Sequence, residues 1–320
     1  MPIFEAFDDE MDEILARARS TDSGVRRVAM LSLAEAVEPE AVPLLIDGTR
    51  DPDAMVREAA CKALDEHSGT EVALALIAAL DDPEEAVRLA AAESLADKKE
   101  AGAASALIAR AAEGGVFVRS AALRALREMQ EPAALPVALA ALQDPEVAVR
   151  REALGVLGWL KAEAALPALM MAANDSDPSV RRAVMAALVF VRPGTPGVPP
   201  LIAGLTDDNW QVREEAAFSI GKARLPEAAD PLIAATGDEA WQVRAKAVNA
   251  LGKIKARGAV PAISAALDHS LSNVRKEAAA ALGEIADPAA IGVLERAYDD
   301  PDPDVRKLVR WALDRCRAAA

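Results

Sequence analysis

Two histidines stand in this chain, His67 in Glu66-His67-Ser68 and His269 in Asp268-His269-Ser270. A zinc-hydrolase helix needs two imidazoles one turn apart, and no His-Glu-x-x-His occurs. Glycine-rich phosphate loops and Gly-x-Ser-x-Gly are absent as well. Cys61 and Cys316 lie far apart at similar places in their local patterns, which reads as buried thiols rather than a disulfide or a metal pair. Glu71, Glu131, Glu163 and Glu227 fall where short helices should open and suit the helix dipole better than acid/base work. The expectation is a non-enzyme with no catalytic residue, no metal and no cofactor. Recognition chemistry is what remains. Asn209-Trp210-Gln211-Val212-Arg213 and Ala240-Trp241-Gln242-Val243-Arg244 are near copies, and Trp is a favoured interface anchor. Stacked on neighbouring rungs, two indoles and two amides would share one edge. The alternative is that each indole covers its own loop and the Arg stem.

The elements that must position these residues follow from a period. Val-Arg pairs begin at Val25, Val56, Val87, Val118, Val149, Val180, Val212, Val243, Val274 and Val305, spaced by 31 residues except for the 32 from Val180 to Val212. A period sustained over the chain means a stacked repeat array. From each Val, small or apolar residues fall at offsets 4, 7 and 8, as in Val56, Ala60, Ala63 and Leu64 or Val243, Ala247, Ala250 and Leu251. That is one stripe of a helix. Asp sits five residues before the Val at Asp51, Asp82, Asp144, Asp175, Asp207, Asp238 and Asp300, often followed by Pro, which ends the preceding helix. Asp53, Asp177, Ser272 or Asp304 would then cap the first helix of the repeat. A second helix opens with Pro-x-Leu-Ile, as at Pro200-Leu201-Ile202 and Pro231-Leu232-Ile233, since Pro is tolerated in a first turn.

The pattern predicts ten first helices, nine second helices and one earlier helix over about residues 5–18. That earlier helix carries Glu5, Asp8, Asp9, Glu10, Asp12 and Glu13, the polar face of a terminal cap. The expected fold is all-α, an α-solenoid, with one domain over 1–320: a cap at 1–20, tandem helix pairs over 21–301 and a closing helix at 302–320. Repeat four departs, with Glu113 for the Asp and Gly114-Gly115 after it; repeat nine offers His269 in that place.

This pattern resembles the HEAT-like repeats of the phycobilin-lyase type over essentially the whole chain. The resemblance implies that each repeat's Arg pairs with a loop Asp, a ladder of Arg57, Arg88, Arg150, Arg181, Arg213, Arg244 and Arg306 with the seven Asp residues above. It also implies that second helices line a concave face. Their positions outside the core stripe are mostly small: Ala78, Ala79, Ala140, Ala141, Ala234, Ala235, Ala265 and Ala266. Asp47, Arg110, Met171 and Arg296 depart from Ala there, so Arg110 and Met171 join Trp210, Trp241, Gln211, Gln242 and Asn209 as partner-binding candidates. Deoxyhypusine hydroxylase, built of similar repeats, holds iron with His-Glu pairs; this sequence has none.

The irregular spacing coincides with Arg192-Pro193-Gly194-Thr195-Pro196-Gly197-Val198-Pro199-Pro200, which should replace a compact turn by a longer stiff loop. A designed array is conceivable, but that broken turn and the Gly-Gly repeat argue for a natural sequence. Hydrophobic residues make up 52% and aromatics 3%, so the core is Ala, Leu, Val and Ile. The net charge of −15 disfavours nucleic acid and accommodates a basic partner. No membrane span or secretory leader is expected. Abundant Arg and Ala suggest a bacterial source of high GC content. The expected protein is a monomeric, cytoplasmic interaction scaffold or adaptor. Its alternatives are an acidic inhibitor or immunity-type protein masking a basic effector, and a non-catalytic or chaperone-like subunit of a phycobilin-lyase-like enzyme.

Overall fold

A computed structural model describes residues 3–36, 38 and 40–320, with side chains described from residue 11 onward. Among the described residues there are twenty α-helices and no strand. Ile3–Ala18 comes first, followed by alternating first and second helices, ten and nine of them. The backbone of the opening helix is as expected, with Met11 and Ile14 buried and Asp12 and Glu13 exposed. The side chains of Glu5, Asp8, Asp9 and Glu10 lie outside the described residues.

The chain divides into two compact units, Met1–Leu160 and Lys161–Ala320. Within each, helix pairs stack sequentially, the packing of an α-solenoid. In the first unit the helices Ser23–Ser32, Ala54–Ala63, Glu85–Ala96, Val116–Met129 and Val147–Leu160 stand side by side. In the second the same is true of Pro178–Ala187, Trp210–Ala223, Trp241–Lys253, Ser272–Ile285 and Pro303–Ala318. The repeating Val is buried from Val56 to Val305. Val25 is the exception at 38% exposure, where a single helix rather than a pair precedes it.

Second helices are short, six to ten residues, and six of them follow a single 3-10 turn. Pro136, Pro167, Pro199 and Pro261 occupy their first turns, where no intrahelical N–H is lost. Caps fall three residues before the Val. Asp22, Asp53, Asp177, Asn209 and Asp302 each accept from an amide of the first turn. The expected caps Ser272 and Asp304 are instead already helical, because the register places Leu271 and Asp302 at the helix entrance.

First helices approach one another closely in the second unit. A Cβ on Gly252 would lie 2.7 Å from Ala281 Cα, and one on Gly221 would lie 2.9 Å from Ala250 Cα. Only glycine allows these backbones to come so near.

The turn at 192–197 is closed by its own hydrogen bonds and by one to the next repeat. Thr195 N–H donates to Arg192 O and Val198 N–H to Thr195 O, each at 3.1 Å. Gly194, at φ +76, donates its N–H to Glu227 Oε1 at 2.7 Å. Val191 and Val198 are buried on either side. Glu227 is thus tied to the turn of the preceding repeat.

Candidate interaction surface

The Asp that stands five residues before seven of the Val residues organises the edge where repeats meet. In the first unit Arg26 Nε donates to Asp51 Oδ2 at 2.7 Å and Nη2 to Asp51 Oδ1 at 2.8 Å. Arg57 grips Asp82 with the same fork, at 2.7 and 2.9 Å, and Arg119 grips Asp144 at 2.8 and 2.9 Å. In the second unit the pairs are Arg181–Asp207, Arg213–Asp238 and Arg275–Asp300. Each Arg therefore reaches forward to the next repeat's Asp. Its Nη1 meanwhile donates to carbonyls of its own loop, Asp51 O and Pro52 O in the case of Arg57 and Gly114 O in that of Arg119. The same Asp accepts the N–H two residues on, as Asp82 does from Glu84.

Two-pronged charge-assisted pairs of this kind are strong and geometrically selective. At Asp51, Asp207 and Asp300 the arginine hydrogen bond outweighs burial and holds the carboxyl below its ordinary range. At Asp82 and Asp238 burial is the largest influence and pushes upward. The arginine fork, the backbone N–H and the cationic charge together overcome it, so those carboxyls are lowered too.

The forward reach changes the membership of the ladder. Arg26, Arg119 and Arg275 take part, although their own loops were no guide to it. Arg88 would need an Asp at 113 and finds none; it donates to Asp82 O and Pro83 O, and its guanidinium lies 5.8 Å from the Phe117 ring centre. Among the described residues Arg306 donates to Asp300 O and Pro301 O alone. Arg244 faces a rung where His269 replaces the acid, and its buried Nε has no hydrogen-bond partner among the described residues. His269 keeps half of the Asp's work, with Nδ1 accepting from Leu271 N–H at 3.0 Å. His269→Asp is expected to complete the rung and raise stability by about 1 kcal/mol, measured as a shift of the urea midpoint. No gain, together with an unprotected Arg244 Nε–H by NMR, would refute the pairing rule.

The remaining residues picked out by chemistry resolve as follows. Cys61 is buried, which pushes its thiol up to about 12, and burial raises that of Cys316, whose Sγ donates to Leu282 O at 3.7 Å. His67 Nε2 lies 3.0 Å from Leu33 O at a helix end. Glu131 accepts from Ala133 N–H at the opening of its turn. Asp47 lies near Arg50, Arg110 is paired with Asp81, and Arg296 donates to Gly292 O. Met171 is bare, at 71% exposure. The alanine surface of the second helices is narrower than expected: Ala78, Ala140, Ala234 and Ala265 are exposed, but Ala79, Ala141 and Ala235 are buried and Ala266 half-buried. Their positions turn back toward the first helices, because each short helix packs on the first helix that follows it.

Trp210 and Trp241 each open a first helix and stay 37% and 36% exposed. Asn209 is the cap beneath Trp210, accepting from Gln211 N–H at 2.9 Å, so its side chain is occupied. Trp241 and Gln242 form part of a groove of about 440 Å³ with Ala245, Lys246, Asn273 and Leu308. Trp210 and Gln211 do not line it. One more aromatic belongs to this surface and was not singled out by sequence. Phe218 is 38% exposed and lies within reach of three ammonium groups, Lys246 at 5.5 Å, Lys222 at 5.9 Å and Lys253 at 6.0 Å from its ring centre. Its signal was weak because the lysines come from two different repeats.

A family model for HEAT repeats matches residues 11–96, 105–189, 198–262 and 233–314. The chain belongs to the HEAT repeat family. No protein with a curated description matches it in sequence. Among solved structures, an Escherichia coli protein, YibA, is 22% identical with a TM-score of 0.62, covering 80% of this chain and 95% of that one. An engineered protein is 20% identical with a TM-score of 0.55, covering 95% and 98%. Kap95, yeast importin-β, in a Kap95:Nup1 complex is 16% identical with a TM-score of 0.68, and the match covers 99% of this chain and 51% of that one. At these identities the likeness shows the HEAT fold and nothing finer. Among the described residues no helix is long and apolar enough to cross a membrane, and no cluster of three or more His, Cys, Asp or Glu side chains could hold a metal ion.

Proposed function

We propose that this HEAT array is a non-enzymatic adaptor that seats a protein partner along the first-helix surface of residues 210–277. The exposed pair of indoles at equivalent places, one of them lining a groove, carries this reading. A free adaptor gains nothing in stability from two large apolar rings in water, whereas an interface uses such rings as anchors. The Kap95:Nup1 complex supports protein binding as a use of the fold. We place the adaptor in the cytoplasm of a bacterium, as a monomer.

Co-purification with the tagged chain from its native host tests the reading. A specific partner should be recovered in stoichiometric amount and be reduced at least about tenfold by Trp210→Ala/Trp241→Ala, since hot-spot tryptophans carry about 2 kcal/mol or more. Equal recovery with the double variant would overturn the assignment of this edge. The net charge of −15 favours a second reading, an inhibitor that masks a basic effector; salt should then weaken capture steeply. The Asp-Pro and Val-Arg pattern supports a third, kinship with phycobilin-lyase subunits, for which chromophore transfer with a partner chain is the test.

A further inference from the structure

Phe218 has no counterpart of its kind elsewhere among the described residues. Its ring is exposed and surrounded by Lys222, Lys246 and Lys253, none of which makes an ion pair with a described residue. Lys222 and Lys253 lie in the last turns of their helices, where the dipole welcomes a cation. That accounts for each of them singly. It does not account for Lys246, which sits in mid-helix, or for the convergence of all three on one exposed ring.

Three like charges so close repel one another, and in a chain of net charge −15 they stand out against their surroundings. Arg224 and Lys255, both exposed, follow within two residues of the ends of the same two helices. The acids nearby are engaged or peripheral. Glu215 pairs with Arg182, while Glu214 and Glu277 both line the groove that holds Trp241, Glu277 accepting there from Asn249. Lys276, also in the lining, is held by Asp302 and Asp304. Lys246 belongs to both the Phe218 cluster and the groove, so the two form one continuous surface.

Resting on the adaptor reading, we infer that this surface receives an acidic segment of a partner protein. An apolar side chain of the segment would enter the groove between Trp241, Ala245 and Leu308. Its carboxylates would meet Lys222, Lys246 and Lys253 over Phe218. Charge complementarity chooses the occupant: the groove carries two acids and two lysines, but the surface over Phe218 is basic, so the matching segment is acidic there, the reverse of what the net charge of the chain suggests. A nucleic acid would offer anions as well, but the rest of this acidic chain repels a long phosphate backbone.

Selection of random peptides on the full chain, followed by fluorescence anisotropy with the enriched peptides, tests the inference. Enriched peptides should carry net negative charge around an aromatic or large aliphatic residue. Lys222→Glu/Lys246→Glu/Lys253→Glu should weaken them by on the order of tenfold or more, and the Gln triple variant by less, with far-UV circular dichroism unchanged. Lys161→Glu/Arg192→Glu/Lys307→Glu, with the same net charge, should not. Basic or uncharged winners, no winners at all, indifference to the lysine reversals, or tighter binding of an oligo-dT strand would each overturn it. If the peptides are lost on Trp210→Ala/Trp241→Ala yet ignore the lysines, the adaptor reading stands and the acidic-partner inference falls. If the host partner ignores the tryptophans, the adaptor edge falls independently.

Discussion

Gly252→Val is expected to lower the unfolding free energy by about 3 kcal/mol, read from urea denaturation followed by far-UV circular dichroism. Helix propensity alone predicts the opposite sign, because Gly is the poorest ordinary helix former. What decides the sign is the neighbour. A Cβ at 252 would press on the backbone of Ala281, at 2.7 Å from Cα and 2.9 Å from Cβ, and backbone cannot swing aside. The helices Trp241–Lys253 and Ser272–Ile285 would have to separate, and the contact between them would loosen along its length. Gly155 provides the contrast. A Cβ there meets only the far end of Arg127, at 3.1 Å, which can move. Gly155→Ala should therefore be neutral or stabilising by up to about 1 kcal/mol. Equal and favourable changes at both positions would show that the close approach at 252 does not constrain the stack.

Asp82→Ala should cost about 2 kcal/mol. The substitution strips Arg57 of both prongs of its fork and leaves the Glu84 N–H without its acceptor. The pair is well shielded, with side chains 13% and 8% exposed, so water replaces the lost contacts poorly. Asp81→Ala, next door, removes an ion pair whose partners are 38% and 44% exposed and should cost less than about 0.5 kcal/mol. Acid should act on the ladder in the same way as the mutation. A carboxyl held below its unfolded value binds fewer protons in the folded state. Its contribution is complete above about pH 4 to 5 and disappears as pH falls through the lowered folded value. Wild type should accordingly lose stability on acidification in this window, and Asp82→Ala should lose less. A variant whose acid sensitivity matches wild type would sink the claim that Asp82 stabilises through its charged form.

Much of this was legible in the sequence, and the parts that were not share a cause. The number and order of the helices followed from Val, Ala and Leu at offsets 0, 4, 7 and 8, because burial of one stripe leaves a periodic trace. Proline marked the second helices for an equally local reason. Capping was misplaced at Ser272 and Asp304 because Ser and Asp are good caps anywhere near a helix start, and only backbone geometry identifies the entrance. The ladder was legible as Arg and Asp but not as to which partner each would take. An Arg six residues after an Asp looks paired within its own loop, whereas its fork points to the next one. Phe218 escaped altogether, since the groups around it are contributed by residues 222, 246 and 253 and no single repeat displays the cluster.

Arg181 reaches Asp207 across 26 residues where the other described rungs span 25, yet its two distances, 2.7 and 2.8 Å, match theirs. The additional residue is taken up in the turn tied down by Gly194 and Glu227, and the clasp keeps its geometry. Chain length on that side of the repeat is thus decoupled from registration on the other. Evolution can lengthen the Arg192–Pro196 turn, and an engineer can graft an epitope there, while the stack keeps its alignment.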